Sequence, residues 1–330
     1  MADKVRIGFI GAGGIAVGHA MRLHDGGLAE IVGLSDPSDG SIARMKAQRP
    51  ELADVPVFAD YRQMLAQVPM DAVEIHSPHV YHTRQILDSL SADKHVLCEK
   101  PMTSSVADAK AVIAKRDETG LVLGVSYQRH FSPMYRYIRE QIGGSSLGNL
   151  QTVSVIMAQD WADHQRGAWR SDPAISCGGQ LNDSGSHLVD MLLWCTSMKA
   201  VEVFAKINSF DMKVDVDSAI TVRFANGAIG NLTILGAAPQ GFWELFGAWC
   251  SKGSLIYDMQ SGLREQFFGG EEHQLSFGDA ANNPDTNFVR AILGQEELQI
   301  PAECGLRVIE LTEAAWRSAK SGQPVLVEEM

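Results

Sequence analysis

Residues 5–16, VRIGFIGAGGIA, restrict the fold more than any other stretch. The apolar run VRIGFI reads as a buried strand, and it ends in Gly11-x-Gly13-x-x-Ala16 before a helical pattern that runs through about Leu23. A strand, a glycine turn and a helix in that order form the opening of a βαβ unit. Each small residue has a purpose in such a turn. Gly11 permits the tight bend, Gly13 lets a pyrophosphate approach the backbone, and Ala16 lets the helix lie close to the strand. The helix N-terminus, which starts at Gly14 and Ile15, offers unpaired N–H groups and partial positive charge to phosphates. An acidic residue belongs at the end of the second strand about 20 residues on, and EIVGLSD supplies Asp36. That carboxylate can accept from both ribose hydroxyls and repels a 2′-phosphate. Neither Pro37 nor Ser38 offers a compensating cation, so the site favours NAD over NADP.

The same alternation continues. Strand-like runs at 30–34, 55–58, 71–75, 95–98 and 121–126 are separated by helical patterns at 40–49, 60–67, 81–91 and 103–118. Strands alternating with helices call for a parallel sheet covered on both faces. The expectation is an α/β, doubly wound Rossmann domain over residues 1–126. Beyond it the pattern changes. Helical stretches at 131–142 and 187–195 are followed by longer strands at 150–159 and 201–210 and by SAITVRF and AIGNLTIL, joined through the hairpin-forming Ala-Asn-Gly at 225–227. FWELFGAWC, GSLIYDM and LREQFF extend the series, and a last helix covers about 303–319. Residues 127–330 are therefore expected to form an α+β domain on a large, mostly antiparallel sheet.

Composition excludes some classes of partner. The net charge of −12 over 330 residues argues against nucleic acid or an anionic membrane, both of which need a basic footprint. The five cysteines are scattered and odd in number, with no C-x-x-C pair, which supports neither a zinc site nor a disulfide framework. With no signal-peptide pattern at the N-terminus and no apolar run of membrane-spanning length, a reducing cytoplasm is expected. The histidines His76, His79 and His82 are three apart, but Pro78 breaks any shared helical face, so no metal site is expected.

HVLCEKPM, residues 95–102, places Glu99 and Lys100 just past the carboxyl end of a strand, the edge where ligands lie in open α/β sheets. Pro101 restricts Lys100 to extended backbone. An ammonium held there can polarise a substrate hydroxyl or carbonyl; an ordinary surface Glu–Lys pair before a helix fits the spacing equally well. Further on, Asp183 and His187 are four apart, so both can share one helical face. A histidine in a first helical turn stays neutral and able to accept a proton, while an aspartate N-cap with an exposed histidine is the plainer alternative.

These segments together resemble the Gfo/Idh/MocA family, the glucose–fructose oxidoreductase and inositol dehydrogenase group, over essentially the whole chain. The family's Glu-Lys-Pro signature stands as Glu99-Lys100-Pro101. HSPHVYH is similar to its Thr-Pro-Asn-x-x-His segment, with Ser77, Pro78, His79 and His82 in those places, and CGGQLNDSGSHLVD resembles its Gly-Gly-Gly…Asp-x-x-x-His stretch. EAAWRSAKSGQPV is similar to its closing helix. The resemblance implies a Rossmann domain holding NAD, with Ser77, Pro78, His79, His82, Glu99 and Lys100 near the cofactor. It implies catalytic roles for Lys100, Asp183 and His187, with the lysine often before a cis proline, and puts Trp169 and Arg170 near the nicotinamide end. It also implies that residues 127–330 are a substrate domain with an open sheet, and assembly of a homodimer or homotetramer through that C-terminal sheet. Tyr127, Gln128 and Arg129, at the expected domain junction, are further candidates for the substrate pocket. Two positions depart from the pattern: Cys177 replaces the first glycine of the triplet, and Asn182, where an apolar residue is common, can reach a hydroxyl-rich ligand or cap the helix. The expected activity is hydride transfer between NAD and a hydroxyl-bearing carbon of a sugar, inositol or related polyol. The alternatives are an NAD-retaining glycosidase that works by transient oxidation and an NAD-sensing regulator.

Overall fold

The computed structural model describes residues 4–144, 146–239 and 241–327. They divide into two compact units, residues 1–128 with 281–305 and residues 129–280 with 306–330.

The first unit is built as the alternation requires. Its strands are β1 (Val5–Ile10), β2 (Ala29–Ser35), β3 (Val57–Phe58), β4 (Ala72–Ile75), β5 (His95–Cys98) and β6 (Leu123–Val125). They form one six-stranded parallel sheet in the order β3-β2-β1-β4-β5-β6. The covering helices are α1 (Gly14–Gly26), α2 (Asp39–Gln48), α3 (Tyr61–Gln67), α4 (His82–Ser91) and α5 (Val106–Thr119). Local chemistry sets their ends. Ser38, Asp60 and Ser105 accept backbone N–H groups at the starts of α2, α3 and α5, and Gly27 and Gly120 close α1 and α5 in the left-handed region. α1 buries Ala16, His19, Ala20 and Leu23, a stripe at helical spacing. β1 and β4 are neighbours although two strands separate them in sequence, and the sheet runs outward in opposite directions from them. That reversal is the topological switch point, whose carboxyl-end crevice binds ligands in open α/β sheets.

The second unit begins with α6 (Pro133–Gly143), β7 (Leu150–Ala158), α7 (Trp161–Gln165), α8 (Pro173–Ser176) and α9 (Ser186–Thr196). Seven strands follow: β8 (Ala200–Asn208), β9 (Asp217–Phe224), β10 (Ile229–Leu235), β11 (Trp243–Cys250), β12 (Gly253–Asp258), β13 (Gly262–Phe267) and β14 (Glu272–Leu275). α10 (Pro284–Ile292), α11 (Ala302–Ser321) and β15 (Val325–Leu326) complete the chain. The strands make a nine-stranded sheet in the order β14-β13-β12-β11-β7-β10-β9-β8-β15. Its pairs are antiparallel except β7 with β10, which run parallel because β7 is inserted between β10 and β11. β9 alternates buried and exposed residues along its length, as a sheet with one covered face requires.

The sequence-based division at residue 126 differs from these units in two respects, the first being that Tyr127 and Gln128, assigned to the second half, belong to the first unit. Residues 281–305, assigned there to the second half, belong to the first unit, and α10 lies against α1. The segment was missed because PDTNFVRAI is short and polar, and its buried side is as much Asp285 and Asn287 as Phe288 and Val289. Among the described residues no helix is long and apolar enough to cross a membrane.

Candidate active site

The glycine turn sits at the switch point. Gly11 has φ +99°, and a Cβ there would lie 2.7 Å from the His76 carbonyl carbon, so only glycine fits. A Cβ on Gly13 or Gly14 would meet no atom within 4 Å, which leaves an open approach to the backbone. α1 starts with no side-chain cap and no acidic residue in its first turn, which leaves its leading N–H groups without a capping side chain among the described residues. Ile15 is 50% exposed beside them. The Asp36 carboxylate at the end of β2 accepts from Ala12 N (2.8 Å) and Ser38 N (2.8 Å), which ties the acidic residue to the turn. A carboxylate has lone pairs left beyond two such bonds. An open cradle, an uncapped helix start and a fixed acid are what a dinucleotide needs, and NAD fits these residues.

After β4, Ser77 and Pro78 are half-buried and His79 is buried. Ser77 Oγ donates to Gln85 Oε1 on α4. His82 starts α4 and its ring is fully buried. One nitrogen lies 2.8 Å from Ser77 O and the other 2.8 Å from Pro101 O, which sets the ring between the two loops at the sheet edge. Burial holds its pKa below the usual histidine value. After β5, Glu99 N donates to Ile75 O (2.9 Å), and the Lys100–Pro101 peptide is cis. Glu99 Oε1 lies 2.9 Å from His19 Nε2. Burial opposes the charge of Glu99, yet His19 holds its carboxyl well below the usual range. Lys100 is half-buried at the same edge. Tyr127 is buried just after β6, and Gln128 is exposed.

In the second unit, α9 begins at Ser186, so His187 occupies its first turn and is half-buried. Asp183 precedes the helix in a turn closed by its N–H to Gly179 O (3.0 Å). Its carboxylate is buried and accepts from Trp161 Nε1 (2.8 Å), with Arg170 Nε at 3.0 Å. The Arg170 guanidinium in turn lies over the Trp169 ring, 4.3 Å from its centroid. The structure thus brings Asp183, Trp169 and Arg170 together, through a tryptophan, Trp161, that sequence reasoning did not single out. Asp215 was also missed. Its oxygens accept from Gly179 N (2.9 Å), Leu181 N (2.7 Å) and Trp316 Nε1 (3.2 Å), fixing the loop that leads to Asp183. Nothing in the spacing of a lone aspartate 32 residues downstream marks it. Cys177 takes φ +55°, the left-handed region where glycine is at ease, which accounts for a glycine being usual there. Asn182 is fully buried, and neither its Oδ1 nor its Nδ2 has a hydrogen-bond partner among the described residues. Arg129 is engaged by Glu244 in an ion pair, and burial raises the Glu244 pKa against the pull of that guanidinium.

This geometry defines a class: a dinucleotide-binding protein with an open glycine turn at the switch point of a parallel sheet. Comparison with known proteins gives the family. The model described as "Oxidoreductase family, NAD-binding Rossmann fold" matches residues 5–127, and the GFO/IDH/MocA C-terminal domain matches residues 135–256. The chain is 25% identical over 345 residues to myo-inositol 2-dehydrogenase of Thermotoga maritima, covering 99% of each chain. It is 34% identical over 237 residues to 4-carboxy-2-hydroxymuconate-6-semialdehyde dehydrogenase of Sphingobium sp., covering 70% of this chain and 71% of that one. A solved structure of the WlbA dehydrogenase from Bordetella pertussis, in complex with NADH and UDP-GlcNAcA, superposes with a TM-score of 0.87 at 22% identity, covering 99% of this chain and 100% of that one. The chain belongs to the Gfo/Idh/MocA oxidoreductase family. It is an oxidoreductase of the dehydrogenase and reductase kind with an NAD-binding Rossmann domain.

Proposed function

We propose that this protein is an NAD-dependent dehydrogenase acting on a hydroxyl-bearing carbon of a sugar, an inositol or a related polyol. The observation that carries the reading is Lys100, held in Glu99-Lys100-Pro101 at the carboxyl end of β5 in a sheet whose switch point carries the open glycine turn. NAD, when bound, supplies the hydride acceptor. The turn N–H groups of α1 bind its phosphates, and Asp36 accepts from its ribose hydroxyls and rejects a 2′-phosphate. Lys100 donates to the substrate oxygen and stabilises the charge that builds there. His187 takes the hydroxyl proton as general base. Asp183 holds Arg170 over Trp169, which orients the substrate, and Asn182 contributes polarity beside it. Relatives named as dehydrogenases and reductases support this reading over glycoside cleavage or cofactor sensing.

We further propose a cytoplasmic homo-oligomer formed through the nine-stranded sheet. One cross-strand row on that sheet carries Trp249, Thr152, Ile229 and Arg223, and both Trp249 and Ile229 are exposed. Light scattering behind size exclusion gives the state directly.

The decisive experiment supplies NAD or NADP with myo-inositol, aldoses, aldonates and aryl glycosides, and follows absorbance and free sugar together. NADH without sugar release is expected. Lys100→Ala should lower turnover by about 10² to 10⁴-fold while NAD binding is kept. Wild-type turnover in that variant overturns the assignment.

A further inference from the structure

Beneath the glycine turn lies a group of ionisable side chains that the proposed chemistry does not use. His19, on the buried stripe of α1, has its two ring nitrogens on two carboxylates: Nδ1 is 2.6 Å from Asp285 Oδ1, and Nε2 is 2.9 Å from Glu99 Oε1. A third carboxylate, Glu74 on β4, has Oε2 3.4 Å from the same Nδ1. The side chains of His19, Glu74 and Asp285 are at most 1% exposed, and that of Glu99 is 12% exposed. Arg22, one turn further along α1, pairs with the other Asp285 oxygen. His76 packs beside His19 with ring centroids 4.3 Å apart, and its Nε2 lies 3.4 Å from Glu74.

Charge and geometry together fix the state of His19. A neutral imidazole donates from one nitrogen only, so one of the two carboxylates would then face a lone pair at under 3 Å. Three carboxylates in so dry a place also need more positive charge than Arg22 provides. Burial works against the cation, yet Asp285, Glu74 and Glu99 hold its pKa well above the usual histidine value. His76, buried against that cation, is pushed the other way and stays neutral. A metal ion is a poor occupant, because His19 has no lone pair left to offer and Glu74 with His76 makes too few ligands for a closed site.

We propose that His19 is a positioning residue: a permanent buried imidazolium that tethers the Glu99 carboxylate to α1 and so fixes the angle at which Lys100 leaves β5. Asp285, brought back to the first unit by α10, completes the clamp. The inference rests on Lys100 acting at the substrate oxygen. It also gives Glu99 a task its neighbour's chemistry does not: Glu99 is the link through which α1, already set by the cofactor's phosphates, registers the lysine.

Two measurements test it. In ¹⁵N-imidazole spectra of the whole protein, one histidine, absent from the His19→Gln spectrum, should show both nitrogens protonated and no titration between pH 6 and 8. A His19 signal that titrates with a midpoint near 6.5 overturns the proposal. In kinetics with NAD and the alcohol selected by the panel above, His19→Gln should lower kcat on the order of 10²-fold with little change in NAD affinity. Its kcat should also acquire an acid-side decline, because Glu99, buried without its cation, then takes up a proton at a higher pH. Glu99→Gln should reproduce the kcat loss, and the double variant should lose no more than either single one. Asp285→Asn keeps the shape of the site and should give the same kcat decline in smaller degree, which serves if His19→Gln does not fold. Wild-type kcat and pH profile in folded His19→Gln or in Asp285→Asn overturn the positioning role. An undiminished Lys100→Ala overturns instead the reading beneath it.

Discussion

The two regions that carry candidate residues, one in each unit, are held by different forces. The Lys100 edge of the first unit is fixed by charge: His19, Glu99, Asp285 and Arg22 form a chain of ion pairs that is dry at His19 and Asp285 and opens to solvent at Arg22. The Asp183 loop of the second unit is fixed by backbone, with Gly179 and Leu181 stitched to one carboxylate and Trp161 bonded to another. Charge clamps are directional and sensitive to pH, whereas backbone stitches depend on close approach and tolerate no added bulk. The difference yields three predictions beyond those already given.

The largest effect should come from glycine. Gly179→Ala would set a Cβ 2.0 Å from the Asp215 carbonyl oxygen, and Gly11→Ala adds backbone strain to a contact of 2.7 Å. Each should cost about 3 kcal/mol or more in urea unfolding, and Gly11→Ala should also weaken NAD binding. If Gly179→Ala is as stable as the parent, close approach is not what fixes the loop.

An intermediate effect should separate the two units by pH. His19 is raised, so its stabilisation is complete below its unfolded pKa of about 6.5 and is lost as pH rises through the folded value. Glu99 and Asp285 are lowered, so theirs is present above an unfolded pKa of about 4 and is lost as pH falls through the folded values. Asp215 is raised by burial, so its folded form takes up a proton more readily than the unfolded chain, and that segment gains stability as pH falls toward about 4. Hydrogen exchange corrected for intrinsic rates should therefore show α1 and β5 losing protection from pH 7 to 9 while residues 179–183 hold theirs. Equal loss in both segments removes the distinction.

The smallest effect concerns Asn182. Leucine there replaces two buried polar atoms that have no partner among the described residues, so Asn182→Leu should raise stability by about 1 kcal/mol. A lower urea midpoint would mean that the amide is compensated within the fold. A rise in KM beside the higher midpoint would tie the amide to substrate.

Much of this molecule was legible in its sequence because the signals are local. Apolar runs between helical periods give β1 to β6 and their order of connection. Gly11, Gly13 and Ala16 give the turn, and Asp36 falls at the end of β2 as the spacing requires. The Ala-Asn-Gly turn gives the β9–β10 hairpin. Three kinds of feature were not legible. α10 is short and polar, with a buried face that only α1 explains. β7 pairs parallel with β10, which depends on strand insertion and not on either sequence. The polar partners of the site, His19 with Asp285 and Gly179 with Asp215, lie 266 and 36 residues apart. A trace existed for the first of these, a histidine on an otherwise apolar helix stripe.

The sequence by itself determined the strands of the two sheets and the glycine turn. Those follow from nearest-neighbour periodicity and from backbone conformations that only certain residues adopt. Tertiary structure alone decided which charges meet out of water, and hence that a histidine of the first helix is a cation and that Glu99 is a strut. A buried charge is set by every group within a few ångströms, and chain order does not reveal which groups those are.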